Sequence, residues 1–95
     1  MRKTTKLPYI NPEDRRHYEE GLNFITNLLS QRQFAQGDLT YIIYRLLIHA
    51  EAYRGTRYSS LSVVRASALD AALEFYRRRI APYEDEKIRL NGDIH

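Results

Sequence analysis

The chain has 95 residues, 15 basic and 12 acidic side chains, a formal net charge of +3 and no cysteine. That excludes a disulfide, a thiolate metal site and a cysteine nucleophile, and the charge excess is too small to announce nucleic acid by itself. One domain over residues 1–95 is expected. A chain of this size buries only about 60–65% of its unfolded surface, so self-association is the expected supplement to its stability.

Residues 1–10 read as a basic tail carrying Arg2, Lys3 and Lys6, with Leu7, Tyr9 and Ile10 able to dock it. The opening "MRKTTKLPYINPEDRR" has no apolar core, so no secretion signal is expected. Asn11-Pro12 begins the first helix, with Asn11 as N-cap and proline at the first helical position. This helix is predicted to reach about Arg32, with Tyr18, Leu22, Phe24, Ile25, Leu28 and Leu29 on one stripe that faces a core.

Gln36-Gly37-Asp38 reads as a turn and cap, and the second helix is expected from about Leu39 to Arg54, stopped by Gly55. It has two apolar faces. Tyr41, Tyr44 and Ile48 form one, roughly opposite the face of Leu39, Ile43, Leu46 and Leu47. A linker follows to Ser60, with Ser59 or Ser60 capping a third helix that runs to about Ile80. Its apolar sector covers about twice the width that one core face needs. Two wide-faced helices in a three-helix chain argue for a homo-oligomer, most simply a dimer, with Ala68 and Ala72 allowing close backbone approach. After Pro82 a kinked continuation or a short new helix, "PYEDEKIRL", is expected within the C-terminal segment 83–95, ending at Asn91-Gly92. The fold class is all-α: a small bundle of three main helices and a C-terminal helical segment.

Twelve of the basic residues are arginine, and there are eight tyrosines and no tryptophan. Arginine and tyrosine serve protein interfaces and nucleotide sites alike. Arg77, Arg78 and Arg79 fall where the third helix is expected to end, and Glu84, Asp85 and Glu86 where the next begins. Helix dipoles account for both runs, and Glu74 with Arg78 makes a favourable i,i+4 pair. Arg79 and Arg65 project from the apolar sector itself, with Ala68, Ala72 and Tyr76 between them. They either pair with carboxylates such as Glu51, Asp14 or Glu20, or line an anion pocket at an interface in which Tyr76 or Tyr83 stacks on the ligand.

His17, His49 and His95 are dispersed, so no metal ligand set is expected. No phosphate-binding glycine loop, repeated acidic pair or nucleophile motif is present, so neither catalysis nor a cofactor is expected. Nucleic acid is the less favoured partner. The tail with Arg15, Arg16 and Arg77–Arg79 would supply a positive stripe, but Asp70 and Glu74 would face phosphate on the third helix. A third reading makes Tyr41, Tyr44 and Ile48 the docking patch of a protein adaptor or inhibitor. No run is long enough for a membrane span, and a cytoplasmic location is expected.

"GDLTYIIYRLL" (37–47) and "LEFYRRRIAPYEDEKIRLNGDI" (73–94) resemble an uncharacterised family of small phage and prokaryotic helical proteins. The shared features are a Gly-Asp-Leu-x-Tyr helix start and an APYEDEKI-NGD ending, and "LPYINPEDR" (7–15) is similar too. The resemblance implies a stand-alone helical domain, phage-encoded and acting in the host cytoplasm, and supplies no catalytic residues. The resemblance supplies no function; by analogy of size and assembly with other small oligomeric helical phage proteins that sequester nucleotide signals, an anionic small molecule such as a nucleotide is the expected ligand.

Overall fold

A computed structural model describes residues 9–94; the basic tail at Arg2, Lys3, Lys6 and Leu7, and His95, lie outside them. Four α-helices follow in order: α1 (Pro12–Arg32), α2 (Gln36–Arg54), α3 (Tyr58–Phe75) and α4 (Ala81–Asn91), with a π-helical turn (Tyr76–Ile80) between α3 and α4. Among the described residues there is no strand. The chain divides into two compact units, residues 1–40 and 41–95.

In the first unit, Asn11 holds the N-cap position with Pro12 behind it, as expected. Its carbonyl accepts the Arg15 N–H at 3.1 Å, while its side chain makes no cap bond. Gln33 closes α1 in the left-handed conformation (φ 50°), and the Phe34 N–H reaches back to the Leu29 carbonyl at 3.2 Å. The apolar stripe exists, but it is not a buried face. Ile25 and Leu29 are half-buried, while Tyr18, Leu22, Phe24 and Leu28 stay exposed. Within the first unit α1 has no second long helix against which to bury its stripe.

α2 begins at Gln36, three residues earlier than the sequence suggests. Asp38 does not stand at the N-cap; it reaches back from inside the first turn, accepting the Ala35 N–H at 2.8 Å. This is the acidic half of a capping box, and Ala35 has no side-chain oxygen to return the bond.

In the second unit, α2 ends at Gly55, whose φ of 92° suits only a residue without Cβ. Its N–H closes on the Glu51 carbonyl at 2.8 Å. α3 then starts at Tyr58, with Arg57 in the cap position, so neither Ser59 nor Ser60 caps it. Ser60 lies in the first helical turn instead. It and Val64 are the buried residues of α3, and no described side chain is fully buried.

Pro82 neither breaks nor ends the helix. A proline inside an α-helix lacks the N–H for the i−4 bond, and its ring meets the carbonyl of that residue, here Arg78. The chain answers with the π-turn: the Ala81 N–H bonds the Tyr76 carbonyl, five residues back. Pro82 is the second residue of α4, directly after the shifted bond. Tyr58 to Asn91 is thus helical without interruption, and α4 stops at Asn91-Gly92 as the sequence suggests.

Candidate anion-binding surface on α3

The continuous helix changes the reading of the charge runs. No helix terminus lies between Arg79 and Glu84, so the dipole account does not apply there. Side-chain pairs hold most of the charges instead. Glu74 takes both Arg77 and Arg78, through one carboxylate oxygen. Glu86 takes Arg89 in a two-pronged contact at 3.0 and 2.6 Å. That contact holds the Glu86 carboxyl below its ordinary range and raises the Arg89 guanidinium.

The Tyr76 hydroxyl donates to Glu84 Oε1 at 2.6 Å, eight residues on. On an unbroken α-helix such residues lie about 80° apart around the axis. The residue absorbed by the π-turn cuts that to about 20°, which brings phenol and carboxylate onto one face. The hydrogen bond, then the Glu84 charge, slight desolvation and the Asp85 charge push the Tyr76 phenol above its ordinary pKa. Tyr83 is engaged as well, with Lys87 Nζ 5.5 Å from its ring centre.

Of the five arginines between Tyr58 and Asn91, Arg79 and Arg65 remain. Within the second unit neither has an ion pair or hydrogen bond. Glu51 shares a cleft with Arg65 but forms no ion pair with it; its carboxylate accepts the Thr56 hydroxyl at 3.0 Å. Of the acids weighed for the two arginines, Glu51 lies in the same unit, and the pairing with it is not formed. Nor does one chain bring them together. They are fourteen residues apart along one helix, roughly 21 Å at the α-helical rise.

Arg65 stands at the edge of an open apolar cleft of about 250 Å³ between α2 and α3. Leu47 and Ile48 form the α2 wall; Leu61, Val64, Ala68 and Leu69 form the α3 wall. Ala68 is half-buried and Ala72 exposed. On α2, Tyr41, Tyr44 and Ile48 are exposed, with Arg45 stacked 5.7 Å over the Tyr41 ring and donating to its hydroxyl at 2.7 Å. The Tyr76–Glu84 bond and the cleft escaped the sequence reading. The eight-residue pair needs a π-turn, for which Pro82 after an arginine run was the visible signal; the cleft depends on the turn at Gly55.

Among the described residues no three His, Asp or Glu side chains gather as a metal site, and no helix is long and apolar enough to cross a membrane. The family described as Domain of unknown function (DUF6899) matches residues 7–94. The chain belongs to this family. The match covers all three stretches on which the resemblance was drawn, and it assigns no activity. No curated protein and no solved structure matches the chain.

Proposed function

We propose that the chain is a non-catalytic binding protein that works as a homo-oligomer and takes an anionic small molecule, such as a nucleotide, through Arg65 and Arg79. The observation that carries this reading lies on the long helix of the second unit. Of the five arginines between Tyr58 and Asn91, Arg77, Arg78 and Arg89 are paired with acids, whereas the two aligned with Ala68, Ala72 and Tyr76 have no acid partner there. Arg15, Arg16, Arg32, Arg54 and Arg57 are also without an ion pair among the described residues, but they lie off this apolar face. A guanidinium beside an apolar cleft is weakly hydrated and presents a planar fork, which suits carboxylate and phosphate. Oligomerisation is supported by the apolar side chains that each helix leaves uncovered, Leu22 and Phe24 on α1, Tyr44 and Leu46 on α2, Leu73 and Phe75 on α3 among them. In a phage or prokaryotic setting the protein would act in the cytoplasm.

Native mass spectrometry of freshly purified protein tests the reading. An oligomer carrying added mass of nucleotide size supports it. An oligomer without added mass that also fails to bind nucleoside triphosphates or pyrophosphate sinks it.

A further inference from the structure

Resting on that reading, we infer that each anion site is shared between two copies: Arg65 of one protomer and the partner's Arg79, with α3 packed antiparallel against α3 about a twofold axis at Ala72.

The spacing of the residues carries the pairing. Arg65 lies seven residues before Ala72 and Arg79 seven after; Ala68 lies four before and Tyr76 four after. A twofold axis through Ala72 sets residues equally distant from it side by side. Arg65 then meets the partner's Arg79, small Ala68 meets the partner's Tyr76, and Leu69 meets the partner's Phe75. At 100° per residue, Arg65, Ala68, Ala72 and Tyr76 share one face. The π-turn sets Arg79 back by about 50° around the axis, within the sweep of its long side chain.

The surface is complementary to itself. On one side of Ala72 lies the apolar cleft beside Arg65. On the other, Phe75, Tyr76, Ile80 and Tyr83 stand exposed at 60%, 45%, 37% and 63%, the bulky side chains that the pairing presents to the partner's cleft. An isologous interface needs this arrangement of socket and knob on one surface. Together with Leu61, Leu69 and Ile48 these side chains offer roughly 700 Å² per protomer, close to the ~800 Å² of a standard interface.

Charge explains why the ligand belongs there. Asp70 and Glu74 lie two residues either side of Ala72, about 160° around the helix from it, so they face away from the seam. Glu51, in the cleft wall, is held by Thr56. Glu84 lies on the seam face, where it accepts the Tyr76 hydroxyl; the two guanidinium groups would still face each other, and their mutual repulsion is relieved when an anion bridges them. One chain cannot do this alone, because its own two arginines are roughly 21 Å apart. The dimer has two equivalent sites.

The test uses inorganic pyrophosphate as probe, with calorimetry at low salt, on the full chain. Wild type is expected to bind two per dimer, and Arg65→Ala and Arg79→Ala each to lose at least tenfold in affinity. A heterodimer of the two variants, isolated through different tags, has one site lacking both arginines and one intact, so it recovers one full-affinity site. Recovery of none, while wild type binds, overturns the shared site. Independently, Ala72→Cys is expected to crosslink to itself on oxidation, the cysteine-free background making it the sole thiol, whereas Ser67→Cys on the back of the helix is not. Failure of Ala72→Cys to crosslink overturns the pairing. If it crosslinks and wild type binds no pyrophosphate, the anion reading of the previous section fails and the shared site falls with it.

Discussion

Three consecutive arginines fall into two different situations. Arg77 and Arg78 converge on Glu74, while Arg79 has no acid among the described residues. Substituting Arg79 by alanine should therefore abolish anion binding while leaving helix content and oligomer mass unchanged, by circular dichroism and light scattering. The Tyr76–Glu84 bond gives a second residue-scale prediction. The folded phenol is raised above its ordinary value of 10.0. Its stabilising contribution is therefore fully present below the unfolded pKa and is lost as pH rises through the folded one. An absorbance titration should show one of the eight tyrosines ionising late. Glu84→Gln should bring that step down, and Tyr76→Phe should remove it. Glu86 has the opposite sign: its pKa is lowered from 4.5, so its contribution holds above that value and fades as pH falls through the folded one.

At the scale of elements, Pro82 and Gly55 set the path of the second unit. Pro82→Ala restores an N–H and removes the ring, so the helix is free to return to α-register. Tyr76 and Glu84 would then part by about 80°. Helix content should be unchanged, yet the late-titrating tyrosine should return toward its ordinary value with both residues still present. If the late step survives the substitution, the π-turn does not depend on the proline. Gly55→Ala tests the corner. A Cβ there would meet nothing within 4 Å, so the cost is backbone strain alone, about 1–2 kcal/mol in chemical denaturation.

At the scale of the molecule, Ser60 and Val64 are the buried residues among those described, and neither is fully enclosed. With so little apolar surface removed from water, stability is expected to come from association. For a dimer, a tenfold rise in concentration adds about 1.4 kcal/mol per association event. The melting temperature should climb by roughly 3–5 °C per decade of protein concentration; a melting point independent of concentration would argue that each copy folds alone.

Helix existence was legible in residue order because it depends on local chemistry. Asn11-Pro12 opens a helix, Gly55 and Asn91-Gly92 close helices, and apolar periodicity needs no partner to be recognised. The Glu74–Arg78 pair was equally local. Boundaries within a turn were less so: Asp38 and Ser60 are good caps by type, yet each stands inside its helix, because capping competes with whatever the neighbouring backbone can satisfy. By itself the sequence determined an all-α chain with more apolar helix surface than three helices can hide. Only the tertiary structure decided that the helix passes through Pro82, that Tyr76 reaches Glu84, and that Arg65 and Arg79 stand apart. The first two outcomes turn on the backbone bonding shifted from i−4 to i−5 ahead of Pro82, which rotates everything after it; the third follows from that unbroken helix, whose rise over fourteen residues keeps the arginines apart. Pro82 marks the place in the sequence, but residue types alone do not say whether the helix stops there or absorbs a residue.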